Sequence, residues 1–199
     1  METVRLPFPI PYHTQRVTAE NFAAEGYSTL EEGLSWTTRT CGIASVRMVI
    51  DGVRAARGLG PCPCQAEMLR QGLELGGYKE GVGWIHRSLA ELAALWGVEG
   101  EALREQPPEA LTAELAAGRP CIVSVTPCFA GGELREDGTP WRRGGHLVVL
   151  LGFDAEGGAP RRFWTHHPSC FPESEWPDCA VSAERFTASF SGNFIRFPV

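Results

Sequence analysis

The run Cys41-Gly42-Ile43-Ala44-Ser45-Val46-Arg47-Met48-Val49-Ile50 constrains the chain more than any other stretch, because it is apolar nearly all the way round. Ile43, Val46, Val49 and Ile50 recur at helical spacing, Thr38 and Thr40 are N-cap candidates, and Gly52 supplies a stop. Only Ser45, Arg47 and Asp51 break the apolar surface, so this helix is expected inside the protein, where other elements must cover it. Cys41 is its first residue. Free N–H groups and the positive end of the helix dipole favour a thiolate there over a thiol. Gly42 would leave room for a substrate carbonyl to approach the sulfur. A structural cysteine at a buried helix start is the competing reading, since free cysteine is among the most buried residue types.

A chain of 199 residues, 43% hydrophobic, can build one substantial core, and 1–199 is read as a single domain. A net charge of −6 with no Lys/Arg run argues against nucleic-acid binding, which calls for a basic face. Residues 1–15 lack a basic start followed by an apolar core, and no segment reaches the roughly 18 apolar residues of a membrane span, so a cytoplasmic location is expected. Seven cysteines is an odd number, which disfavours a full disulfide framework. Cys62-Pro-Cys64 lacks the second pair that a four-ligand zinc site wants, and no metal or cofactor is expected.

Prolines at 7, 9 and 11 make the first segment an extended edge that can still deliver Gln15, a good amide donor to a developing oxyanion. Residues 17–35 read as a surface excursion. Helices are expected from Gln65 to Gly72, along the apolar stripe between Gly81 and Trp96, and from Pro107 or Pro108 to Ala117. His86, beside that stripe, reads as a surface or satisfied histidine. Residues 120–126 and 144–154 carry strand patterns, and the long connection between them, with Trp141, is a candidate substrate flap. Gly145 and His146 open the second strand. A hairpin returns through Arg161 to Ser169, where alternation places His166 and His167 on opposite faces. A helix over Ser182–Phe190 and a strand over Asn193–Pro198 close an α+β pattern, helices first and antiparallel sheet after. Trp36, Trp141 and Trp164, near these motifs, suggest an aromatic cleft.

A cysteine at a helix start, followed 105 positions later by a histidine opening a strand, fits the arrangement of Cys–His hydrolases. Four segments carry a more specific likeness: Pro11-Tyr12-His13-Thr14-Gln15, Cys41-Gly42-Ile43-Ala44-Ser45, Gly145-His146-Leu147-Val148-Val149 with Gly152-Phe153-Asp154, and His167-Pro168-Ser169. Together they resemble the papain-fold cysteine peptidases related to the double-glycine-leader peptidases of bacteriocin exporters. The resemblance implies a papain-like fold, with Cys41 at a helix N-terminus packed on a C-terminal antiparallel sheet. It further implies Cys41 as nucleophile, His146 as general base and acid, Gln15 as oxyanion donor, and a peptide or related amide as substrate. Gly42, Trp36, Gly145 and Trp141 are then substrate-binding candidates. Two departures stand out. Gln15 lies 26 positions before the cysteine instead of a few, so 17–35 must be looped out, and His167 stands where the family has Asp. A neutral imidazole can accept a hydrogen bond from the base but adds no negative charge, and charge-assisted bonds are roughly twice as strong. Asp154 is a poor substitute, some 25 Å along the strand at ~3.3 Å per residue. The leading expectation is therefore a thiol hydrolase, and the alternative is a catalytically degenerate papain-like domain that binds a peptide or partner.

Overall fold

The structure, a computed structural model, describes residues 1–129, 138 and 143–198. The long apolar helix anticipated at Cys41 is α2, Cys41–Ala56, and its residues from Cys41 to Val53 are all buried. It runs past Gly52, contrary to the expected stop. Gly52 is there because Ile10 packs against it: a Cβ would collide with the Ile10 Cδ1. Before it lies α1, Leu30–Trp36, which begins inside the 17–35 stretch read as an excursion and runs one residue past it, with Thr29 accepting from the Glu32 N–H as its cap. After it come α3, Gln65–Glu74, and a short hairpin of β2, Tyr78–Lys79, and β3, Gly83–Trp84. Helix α4, His86–Ala94, is shorter than the stripe suggested, since Gly81 and Gly83, at φ 74° and 99°, shape the hairpin first.

Strands β4 (Glu101–Leu103), β5 (Cys121–Val125), β6 (His146–Glu156), β7 (Ala159–His167), β8 (Trp176–Ser182) and β9 (Phe194–Arg196) form an antiparallel sheet in the order β4-β9-β5-β6-β7-β8. The start of the chain contributes β1, Glu2–Arg5, which pairs with the far half of β6. Helices α5, Pro108–Ala116, and α6, Ala183–Ser189, complete the fold, the latter capped by Ser182 as its sequence predicts.

Strand β6 is buried on both faces, which is why it reads as an unbroken apolar run. Leu147, Val149 and Leu151 pack with α2, α3 and α4, whereas Val148 and Leu150 pack with α5 and α6. The α+β expectation thus holds, with the refinement that helices cover both sides of the sheet. Among the described residues, no helix is long and apolar enough to cross a membrane.

Candidate active site

Leu147 joins the start of β6 to the start of α2 through both of its backbone groups. Its N–H lies against the Cys41 Sγ, and its carbonyl accepts from the Ser45 hydroxyl at 3.2 Å. Cys41 and Ser45 are four residues apart and so share one helix face. This clamp brings two segments 105 positions apart into one cleft of about 600 Å³, where Cys41 and His146 are both lining residues.

The cysteine is not a ready thiolate. Burial pushes its thiol up to about 11, against the opposing influence of the N–H groups of Leu147, Gly42 and Cys41. The expectation that a helix start alone would favour the thiolate fails here because desolvation outweighs those dipoles. His146 moves the opposite way, down to about 3, first by burial and then by the neighbouring His167, while the Pro168 carbonyl facing the ring favours its protonated form. Its Nε2 is enclosed without a hydrogen-bond partner among the described residues. The resting pair is therefore neutral thiol and neutral imidazole.

His167 is buried, and its ring lies 4.7 Å from that of His146 at 49°. Its Nδ1–H donates to the Ser174 carbonyl at 2.6 Å, and its Nε2 has no partner among the described residues. Phe129 and Trp176 enclose it at 5.2 and 5.1 Å. The contact with His146 is ring to ring, and among the described residues His146 Nε2 makes no hydrogen bond. His166, on the other face as alternation required, bonds the Ile10 carbonyl and the Asp178 N–H.

Gln15 reaches the base of α2 despite the 26-residue separation. Its carbonyl accepts from the Thr40 hydroxyl and from Gln65 Nε2, both at 3.2 Å. Its side-chain amide donates to the Thr37 carbonyl at 2.9 Å, and it is not among the described residues that line the cleft. Thr40 spends its hydroxyl on Gln15 instead of capping the helix.

The cleft wall beside Cys41 comes from the hairpin. Tyr78, Val82 and Trp84 line it, and Trp84 donates its indole N–H to the Arg39 carbonyl at 2.6 Å. Gly42 lacks a side chain because Trp84 occupies the space: a Cβ there would fall 2.8 Å from the Trp84 Cδ1 and Cγ. Trp36 stands behind this wall, 5.5 Å from the Tyr78 ring and stacked on Arg39. Gly145 lines the cleft at φ 98°. Trp141 and most of the expected flap lie outside the described residues. Trp164 is elsewhere, under Arg5 and bonded to Asp154. His86, read as a surface or satisfied histidine, lines the cleft and is pushed down to about 4 by burial and by Arg104. The hairpin glycines and the Trp84–Gly42 pair were the sequence signals for this wall, and neither shows a periodicity that would flag them.

Among the described residues no cluster of three His, Cys, Asp or Glu side chains could hold a metal. The Cys62 N–H instead donates to Asp51 Oδ1 at 2.6 Å, and Asp51 pairs with His13 at 2.7 Å.

No protein-family model matches the chain, and no curated protein does. Solved structures do. A Bacillus anthracis protein described as a C39-like peptidase aligns over 100% of this chain and 98% of its own, with TM-score 0.61 and 18% identity. A double glycine motif protease from an AMS/PCAT transporter, solved with its leader peptide, aligns over 100% and 99%, at 0.51 and 17%. The peptidase domain of Streptococcus ComA, a bi-functional ABC transporter of a quorum-sensing pathway, aligns over 81% and 93%, at 0.51 and 19%. The chain has the papain-like α+β fold of the C39-like and double-glycine peptidase domains.

Proposed function

We propose that the protein is a thiol hydrolase that cleaves a peptide or related amide through an acyl-enzyme on Cys41. The observation that carries this reading is the convergence of Cys41 and His146 on one cleft, fixed by the Leu147 clamp. His146 takes the Cys41 proton as the sulfur bonds to the substrate carbonyl carbon. It returns that proton to the departing amine as the C–N bond breaks, leaving a thioester. Water, deprotonated by His146, then releases the acid and restores the thiol. The backbone N–H groups beside Sγ would stabilise the oxyanion, and Gln15 would join them by releasing the Thr37 carbonyl. His167 acts through His146 as a positioning residue.

Peptide cleavage followed by mass spectrometry tests the reading. Turnover should vanish in Cys41→Ala and His146→Ala, and an acyl adduct on Cys41 should be seen by intact mass. Equal turnover in Cys41→Ala would sink it. The second reading, a peptide- or partner-binding module, is favoured by the burial that holds Cys41 near 11 and His146 near 3. It predicts no turnover, a Cys41 alkylated no faster than the other cysteines, and peptide binding retained in Cys41→Ala.

A further inference from the structure

The chain is acidic overall, yet the cleft holding Cys41 is lined by three arginines, Arg39, Arg104 and Arg143, against one described acid, Glu105. Two of those arginines differ from the rest. Ten of the other described arginines form ion pairs with Asp or Glu, and Arg54, Arg57 and Arg185 donate to backbone carbonyls. Arg104 and Arg143 are exposed and have no side-chain hydrogen bond or ion pair among the described residues. Arg39 is partly neutralised by Glu80 at 3.8 Å.

Sheet topology puts these two residues on one rim of the cleft. The C-terminal ends of β4 and β5 and the N-terminal ends of β9 and β6 meet there, with Leu103 opposite Phe194, Val123 opposite Phe194, and Val125 opposite His146. The rim is continuous: Gly144 lies against Ser124 and Ser191, Ser191 N–H donates to the Ser124 carbonyl at 3.0 Å, and Gln106 N–H donates to the Gly192 carbonyl at 2.9 Å. Ser124, Ser191 and Asn193 add polar side chains to the same wall. Three strand spacings separate β6 from β4, about 14 Å at ~4.8 Å each, which an extended peptide covers in about four residues.

We propose that Arg143, beside the start of β6, and Arg104, beside the end of β4, flank an anion subsite for a carboxylate of the substrate within about four residues of the scissile bond. The proposal deepens, and rests on, the reading of Cys41 as nucleophile. A guanidinium fork matches a carboxylate in two hydrogen bonds, and a half-enclosed cleft screens the pairing less than open water does. The protein's substrates are thus acidic peptides, drawn to a locally positive cleft on a molecule that otherwise repels them.

The test is cleavage of a defined peptide library by wild type and by the Arg104→Gln/Arg143→Gln protein, with the library made as C-terminal acids and as C-terminal amides. Wild type should prefer Asp or Glu over Asn or Gln about tenfold at one position within about four residues of the cleaved bond. In the double variant that preference should fall to about one while cleavage of neutral peptides persists. A preference seen only in the acid library assigns the carboxylate to the peptide's own terminus and still supports the subsite. Cleavage without any acid preference, or a preference unchanged in the variant, overturns it. If wild type cleaves nothing, the hydrolase reading has failed. The subsite is then judged by fluorescence anisotropy with a dye-labelled hexapeptide carrying one Glu and its Gln counterpart, where equal affinity overturns it.

Discussion

His167 lies 4.7 Å from His146, ring to ring, and points its Nδ1–H away, at the Ser174 carbonyl. The position beside His146 therefore supplies it with no negative charge. His167→Asp should place a carboxylate beside His146, raise the pKa of that imidazole, and speed alkylation of Cys41 by iodoacetamide about tenfold near pH 7. The same change leaves the Ser174 carbonyl without its donor, at a cost of about 1–3 kcal/mol by urea denaturation. A faster alkylation at reduced stability is the expected pair of results. An unchanged pH profile of alkylation would show that His167 does not set the charge of His146.

Acid should destabilise the protein through its histidines. The pKa values of His146, His86, His166 and His167 are all held below the ordinary value, His146 near 3 and His86 near 4, with burial the first cause in each. Their unfolded values lie near ~6.5. The folded state thus favours the neutral rings, so this stability is complete above about 6.5 and is lost as pH falls toward 4 and 3. Urea midpoints should decline from pH 7.5 to pH 5. The decline should be shallower in His86→Gln, whose side chain cannot be protonated there, and a midpoint flat over that range would refute the assignment.

The Leu147 clamp predicts a smaller and more local effect. Ser45→Ala removes the hydroxyl that holds the Leu147 carbonyl, leaving a buried acceptor unpaired for about 1 kcal/mol. Hydrogen exchange at the Leu147 amide should accelerate more than at Val149 in the middle of the strand. Equal acceleration at both would mean that Ser45 supports the core at large and not the strand start.

Much of this architecture was legible because its signals are local. The α2 run, the β6 run and the Ser182 cap state their structure in consecutive residues, and Cys41 and His146 mark the ends where they meet. What escaped reading depends on partners distant in sequence. Gly52 looks like a helix stop until Ile10 is known to press on it. Cys41 looks activated by its helix dipole until the depth of its burial is known, because desolvation follows from packing by several elements at once. His86 looks like a surface residue until the hairpin before it turns it into the cleft. The arginines are scattered through the chain, and only the antiparallel register gathers Arg104 and Arg143 on one rim.

The Gly42–Trp84 contact gives the most exacting test of the cleft wall. A methyl at position 42 would fall 2.8 Å from the Trp84 ring, and Trp84 is itself fixed by its bond to the Arg39 carbonyl, so the ring cannot simply retreat. Gly42→Ala should cost about 1–3 kcal/mol through overpacking. Trp84→Phe removes indole bulk and the N–H donor, and should be destabilising by a similar amount. Combined, the two should cost less than the sum of the singles, because the smaller ring makes room for the added methyl. Such coupling, read from urea midpoints, would place the hairpin against the first turn of α2. Strict additivity would mean that the ring and the glycine do not touch, and the aromatic wall beside Cys41 would have to be built from other residues.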